Sequence, residues 1–263
     1  MNAPVTQTFS WLEKLTVQKR TGFQMGLSIL GLFVFLWALA ALLAPLPNPI
    51  GAAATQFAQG ARTTVALTLI SGLIGGVLGV ALGLGKMSSI KAFRWPSELV
   101  VWLIRGTPLL TQILFFYLAL PAMAPQLQLN EFWTAVVALS INVAAYNAEV
   151  FRAGVLAIPR GQKLAAQAMG FSPVQAFIYV VLPQATRVSL PALANNIVAL
   201  LKDSSLAYAI GVVEINMIAQ RVQAESFQPI PVFIATGLIY LILTTALTQF
   251  SGAVEQRMAS AYH

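Results

Sequence analysis

Apolar runs of about 20 residues, the length that a helix needs to cross the hydrocarbon core of a bilayer, recur along this chain. Hydrophobic residues make up 58% of the sequence and charged residues only 9%. A soluble domain has about 25% charged residues. The sequence therefore predicts an all-α integral membrane protein with six spans, at residues 23–43, 64–84, 96–120, 132–150, 188–210 and 231–254.

Lysine and arginine are distributed very unevenly between alternate inter-span segments. With the N-terminus placed in the cytoplasm, eleven of them fall on the cytoplasmic side and two, Arg62 and Arg221, on the outer side. Cytoplasmic loops carry the excess of basic residues, so both termini are predicted to be cytoplasmic. This also explains the net charge of +7 without nucleic-acid binding, because the basic residues form neither a tail nor one helix face. The eleven are Lys14, Lys19, Arg20, Lys86, Lys91, Arg94, Arg152, Arg160, Lys163, Arg187 and Arg257.

The first apolar run has two interpretations. A secretory signal has an apolar core of about 7–15 residues and a small-residue cleavage site. The run at 23–43 is longer, and Pro45-Leu46-Pro47 follows it. We therefore expect residues 1–22 to be an amphipathic cytoplasmic lead-in and residues 23–43 to be a transmembrane helix.

The composition excludes several kinds of chemistry. The chain has no cysteine and a single histidine, His263. Thiol chemistry, Cys/His metal sites and histidine proton relays within the membrane are therefore excluded, and no catalytic residue or metal site is predicted. The fragment Gly-Leu-Gly-Lys at 83–86 is too short for a phosphate-binding loop, so we expect no cofactor to bind this chain.

The longest inter-span segment, residues 152–187, contains four basic residues and no acidic one. A charge at the bilayer centre costs about 2.5–3.5 kcal/mol, so this segment is expected to lie outside the membrane. The pattern predicts a helix over 162–169, a left-handed stop at Gly170 and an N-cap at Ser172. A second short helix is expected to end at Leu182-Pro183. Two alternatives stay open: a connector on the membrane surface, or a docking helix for a cytoplasmic partner.

Residues 161–185, GQKLAAQAMGFSPVQAFIYVVLPQA, resemble the EAA loop of permease subunits from ATP-binding-cassette importers. Flanking stretches, RGTPLL at 105–110 and LKDSSL at 201–206, resemble the polar amino-acid uptake branch of that family. The resemblance covers about residues 60–257. The matching loop residues are Gly161, Gln162, Ala165, Ala166, Gly170, Gln175, Phe177 and Leu182-Pro183-Gln184-Ala185.

This resemblance implies a type I importer permease fold, with five core transmembrane helices in residues 60–257 and residues 23–43 as an additional N-terminal helix. It implies that the loop at 152–187 carries a coupling helix, which sits in a groove on an ATPase subunit and follows ATP binding. One position departs from the family, because Leu164 replaces the glutamate for which the loop is named. This replacement implies either weaker coupling or a more apolar groove on the ATPase subunit. The expected coupling residues are Gly161, Gln162, Leu164, Ala165, Ala166, Gly170 and Pro183.

The resemblance also implies a set of partners. Two cytoplasmic ATP-binding subunits would bind ATP and Mg²⁺, and a second permease subunit, identical or paralogous, would complete the membrane part. An external solute-binding protein would deliver an amino acid. The implied location is the bacterial cytoplasmic (inner) membrane, with multiple passes through the lipid bilayer and no nucleic-acid partner.

Polar residues within the spans are the candidates for the solute path. Burying an ionisable group in a membrane is costly, so such residues are functional candidates by default. Charges of both signs suit a zwitterionic amino acid better than a sugar. The predicted substrate-pathway residues are Arg105, Thr107, Gln112, Glu149, Asn195, Asn196, Lys202 and Asp203.

These candidates also have structural explanations. Glu149 can pair with Arg152, three residues further along one helix face. Arg105 lies close enough to the interface to extend its side chain toward water. The two neighbouring charges of the fifth span can pair with other helices. Thr107-Pro108 breaks the third span, which either frees a backbone carbonyl for a ligand or only kinks the helix.

A passive channel or an ATP-independent carrier for small polar solutes is the alternative function. Uptake that needs no ATPase would distinguish it from an ATP-driven importer. A membrane enzyme is a third alternative, for which the chain offers few paired carboxylates.

Overall fold

The computed structural model describes the backbone of residues 5–260 and the side chains of residues 20–258. All regular elements in this part of the chain are helices. The long ones are α1 (Val5–Leu43), α2 (Ala54–Met87), α6 (Glu131–Leu156), α9 (Leu182–Asp203) and α11 (Pro229–Ser260). The shorter ones are α3 (Lys91–Arg105), α4 (Leu109–Leu114), α5 (Leu120–Met123), α7 (Arg160–Ala168), α8 (Pro173–Ala176) and α10 (Ile215–Ser226). Phe115–Ala119 and Phe177–Val181 are π-helical turns, and Pro125–Leu127 and Ser204–Ile210 are 3₁₀ turns.

The spans agree with the predicted all-α membrane architecture. The stretches long and apolar enough to cross a bilayer are Arg20–Leu43, Ala54–Met87, Glu131–Leu156, Pro173–Ile210 and Pro229–Met258. A further candidate is α3 together with Leu109–Met123, two pieces that meet at a bend of 111°. Counted as one span, this pair brings the number in the described residues to six.

The N-terminal helix α1 continues without a break from the lead-in into the first span. The amphipathic character expected of the lead-in depends on side chains 1–19, which lie outside the described residues. The span itself packs on α2 and α11. Leu39 and Leu43 are buried there in one apolar cluster with Phe57 of α2 and Leu243 of α11.

Glycines bring α2 into close contact with α6. A Cβ at Gly75 would lie 2.7 Å from the Ser140 carbonyl oxygen, and one at Gly79 would lie 2.6 Å from the Asn147 Cβ. Small residues allow two helix backbones to approach this closely in lipid. The contact holds α6 in the centre of the bundle, where 72% of its most apolar stretch is buried.

Two π-helical turns allow a helix to continue past a proline. The Leu182 N–H bonds to the Phe177 carbonyl, one residue further back than in an α-helix. Proline has no N–H and clashes with the carbonyl four residues earlier, and the wider turn accommodates Pro183. The turn Phe115–Ala119 precedes Pro121 in the same way. The predicted helix end at Leu182-Pro183 is therefore wrong, because the helix continues from α8 into α9.

The start of the third span also differs from the sequence prediction. Pro96 lies inside α3 and is not its first residue. An additional turn forms before it because Ile90 is extended and its carbonyl accepts hydrogen bonds from the N–H groups of Phe93 and Arg94, both at 3.1 Å.

Candidate functional site

The break between α3 and α4 forms one wall of a cleft of about 380 Å³. Gly106 ends α3, and Pro108, with extended backbone, begins α4. The middle of α6 and the C-terminal half of α9 form the other walls. The lining residues are Thr107, Pro108, Leu109, Asn142, Val143, Tyr146, Asn196, Ala199, Leu200 and Asp203.

Glu149 of α6 lies among three cations, one helical turn after Tyr146 of the cleft. The Lys86 Nζ contacts its Oε1, and the Arg152 Nε and Nη2 each lie 3.0 Å from its Oε2. The Arg105 Nη1 lies 3.9 Å from Oε1. The Arg105 guanidinium also lies 5.4 Å from the centre of the Tyr146 ring, which reaches the cleft. Three cations around one carboxylate leave two positive charges in excess, which favours an anionic group near this edge.

The structure brings some of the predicted pathway residues together and separates others. Thr107, Asn196 and Asp203 line the cleft. Asn195 and Lys202 are exposed and do not line it. Adjacent residues on one helix point about 100° apart. Asn196 therefore faces the cleft while Asn195 does not, and Asp203 faces it while Lys202 does not.

Gln112 is buried behind the break, with 6% of its surface exposed. Its Nε2 donates to the Ile104 carbonyl at 2.7 Å and to the Thr107 carbonyl at 3.1 Å. Its Oε1 accepts a hydrogen bond from the Asn142 Nδ2 at 2.9 Å. These two carbonyls therefore have partners within the chain, which favours a kink over a carbonyl freed for a ligand.

The expected coupling segment contains the predicted bend. Gly170 has φ +88°, and its N–H donates to the Gln167 carbonyl at 2.9 Å. The Phe171 N–H donates to the Ala166 carbonyl at 3.1 Å, which completes a Schellman motif. Ser172 caps the start of α8 in a capping box. The predicted left-handed stop and N-cap are both confirmed.

Residues 157–172, including α7, separate α6 from the helix that begins at Pro173. The polar segment outside the long helices is therefore shorter than 152–187. Within α7, Ala166 is buried and Leu164 is 64% exposed. The Gln162 Oε1 accepts a hydrogen bond from the Gln184 Nε2 of α9 at 3.4 Å. The other residues expected to take part in coupling are exposed: Gly161, Ala165, Gly170 and Pro183.

Sequence reasoning missed Glu214, which lies before α10 and outside the membrane-spanning helices. Its side chain is fully buried. As the N-cap of α10, it accepts hydrogen bonds from the N–H groups of Asn216 at 2.8 Å and Met217 at 2.7 Å. The Tyr240 hydroxyl donates to it at 3.0 Å, which links α10 to α11. Burial raises the pKa of Glu214 to about 7, and these hydrogen bonds oppose the rise.

We expect a Glu214-dependent loss of stability as the pH rises. The folded protein holds this proton up to about pH 7, whereas the unfolded chain releases it near pH 4.5. The stabilisation is therefore full below pH 4.5 and is lost as the pH rises through about 7. The thermal midpoint of the detergent-purified protein should fall by about 5 °C across this window. Glu214→Gln should remove that slope, while Glu225→Gln, an exposed control on the same helix, should keep it. An equal slope in both variants would contradict the assignment.

Comparison with known proteins matches most of this chain to one protein family. The family described as "Binding-protein-dependent transport system inner membrane component" matches residues 75–260. The arginine transport system permease protein ArtQ of Bacillus subtilis (strain 168) is 37% identical over 202 residues, which cover 77% of this chain and 92% of ArtQ. The histidine/lysine/arginine/ornithine transport system permease protein HisM of Escherichia coli (strain K12) is 34% identical over 206 residues, which cover 75% of this chain and 87% of HisM.

A solved structure supports the same fold. The crystal structure of an amino acid ABC transporter with histidines superposes with a TM-score of 0.72 at 34% identity, covering 77% of this chain and 94% of that one. An inward-facing structure of the MetNI methionine ABC transporter superposes with a TM-score of 0.60 at 21% identity, covering 79% of this chain and 99% of that one. The second similarity concerns the fold alone.

Proposed function

We propose that this chain, which belongs to the family of binding-protein-dependent transport system inner membrane components, forms the translocation pathway of an ATP-driven amino-acid importer. The observation that carries the proposal is the cleft beside the α3–α4 break. Its lining combines the Asp203 carboxylate, the Asn196 amide and the Tyr146 ring, and the Arg105 guanidinium lies over that ring.

This set of groups suits the chemistry of an amino acid. In a low-dielectric site, both the ammonium and the carboxylate of a zwitterion need polar or charged partners. Asp203 offers a negative charge to the ammonium group, and the cationic excess around Glu149 attracts the carboxylate. The relatives are named for the transport of different amino acids. For this chain we therefore propose amino acids as the substrate class and no particular one.

Asp203→Asn should raise the apparent KM for amino-acid uptake by about tenfold, because the ammonium group loses its charged partner. The measurement is uptake of labelled amino acids into vesicles that contain this chain with its ATPase and binding protein. Lys202→Gln, an exposed neighbour outside the cleft, is the matched control and should leave the KM within twofold. Equal uptake kinetics and selectivity in all three proteins would move solute recognition to the external binding protein.

Coupling to the ATPase is proposed for the segment from α7 to α8. Leu164 is exposed there, and Met169 and Val174 are exposed beside it at 79% and 66%. Apolar side chains of this kind outside the bilayer suit a groove on another protein. With Leu164 in place of the family glutamate, we propose a groove that is more apolar at this point. ATP and Mg²⁺ would bind to the two ATPase subunits.

The remaining features of the assembly follow from the same proposal. Both termini and the coupling segment would lie in the cytoplasm of a bacterium, because the basic residues collect on that side. A second permease subunit would complete the pathway, and an external solute-binding protein would deliver the solute on the side of α10. The first span would be an addition to the five-helix core, packed on α2 and α11.

A further inference from the structure

We propose that Gln112 and Asn142 are positioning residues, which fix the α3–α4 break against α6 and thereby set one wall of the cleft. The inference deepens the proposed function and rests on it only for its transport readout. The central observation is a continuous set of hydrogen bonds that begins at the break and ends on α6.

The break would otherwise leave polar backbone groups without partners. Gly106-Thr107-Pro108 interrupts the helical ladder, and unpaired carbonyls at membrane depth are costly. The Thr107 hydroxyl donates to the Leu103 carbonyl at 2.9 Å. The Gln112 Nε2, from the following helix, reaches the Ile104 and Thr107 carbonyls and lies 3.0 Å from the Thr107 Oγ1. One amide group therefore fastens the end of α3 to the beginning of α4.

The carbonyl end of the same side chain fixes the break to α6. The Gln112 Oε1 accepts from the Asn142 Nδ2 at 2.9 Å, and both side chains are buried. Asn142 also lines the cleft, whereas Gln112 does not. Gln112 is therefore placed to act on the solute through the position of Thr107–Leu109, and not by contact.

A second amide pair holds the opposite wall in the same manner. The Asn196 Nδ2 of α9 donates to the Asn147 Oδ1 of α6 at 2.9 Å. Asn142 and Asn147 thus hold two different walls from one central helix. Amide hydrogen bonds in a low-dielectric interior specify one arrangement, because a buried unpaired partner is unfavourable.

The experiment measures the angle of the break directly. The chain has no cysteine, so Leu99→Cys on α3 and Leu118→Cys beyond α4, both at exposed positions, can carry a pair of spin labels in the otherwise unchanged chain. Distances between the labels are recorded in lipid vesicles for the parent and for added Gln112→Met, Asn142→Leu and both together. Thr111→Val, at the exposed neighbouring position, is the control.

We expect each single variant to broaden or shift the distance distribution, the double variant to add little to this change, and Thr111→Val to match the parent. In uptake assays, both single variants should raise the apparent KM by about tenfold with a smaller change in maximal rate. Unchanged distances in both single variants would overturn the proposal, whatever the protein transports. A raised KM in Asn142→Leu alone, without an effect of Gln112→Met, would also overturn it, because Asn142, which lines the cleft, would then act by contacting the solute itself. If the parent takes up no amino acid, the proposed function fails, while the distances still test the positioning role.

Discussion

Replacing Gly170 with proline is expected to reduce ATP-driven uptake strongly while the membrane-spanning helices stay folded. Gly170 has φ +88° and donates its N–H to the Gln167 carbonyl. Proline fixes φ near −65° and has no N–H, so it permits neither the bend nor the hydrogen bond. The angle between α7 and α8 would be lost at the surface proposed for the ATPase. We expect the initial uptake rate in vesicles to fall by about tenfold or more.

Two further variants separate the bend from a general loss of folding. Gly170→Ala keeps the N–H, but the left-handed backbone conformation is unfavourable for a residue with a Cβ. Its uptake rate should therefore lie between those of the parent and the proline variant. Gly237→Ala, in open space on α11, should behave as the parent. The thermal midpoint should be similar in all of them. Full uptake by Gly170→Pro would show that this segment does not couple transport to ATP.

Gly75→Ala is expected to destabilise the whole bundle. The added Cβ would meet the Ser140 carbonyl oxygen at 2.7 Å and also the Val143 side chain. A backbone oxygen cannot rotate away, so α2 and α6 must separate along their contact. Overpacking of this kind costs about 1–3 kcal/mol, with about 2–4 °C of thermal midpoint for each kcal/mol.

The adjacent Gly76 provides the control for this substitution. A Cβ there meets nothing within 4 Å, so Gly76→Ala should leave both the yield and the thermal midpoint unchanged or slightly raised. The measurement is the midpoint of unfolding in detergent together with the yield of monodisperse protein. Equal thermal midpoints for Gly75→Ala and Gly76→Ala would show that close packing of α2 on α6 does not stabilise the bundle.

Local features of the sequence predicted local structure well. Gly170 and Ser172 form the left-handed stop and the N-cap that their residue types favour, and Glu149 pairs with Arg152 within one helix. These interactions join residues a few positions apart, where spacing alone determines the geometry. The ion pair of Glu149 with Lys86 joins two different helices, and only the packing of α2 on α6 brings these side chains together.

The prediction failed where two effects compete. A proline predicts the end of a helix, but the π-helical turn before Pro183 accommodates its ring and the helix continues. The sequence assigned no role to Glu214, yet this residue is fully buried and bonded to the start of α10 and to Tyr240 of α11. The placement of Asp203 in the cleft and of Lys202 outside it depended on the rotation of α9, which period-based reasoning could not fix.

ATP-driven import is tested most directly by amino-acid uptake into vesicles that contain this chain, its binding protein and its ATPase. ATP is enclosed on the side of the ATPase, and parallel vesicles lack the ATPase or contain ADP. The expected result is concentrative uptake that occurs only with both ATPase and ATP. Equal uptake in vesicles without the ATPase would contradict it and would identify the chain as a passive channel or an ATP-independent carrier.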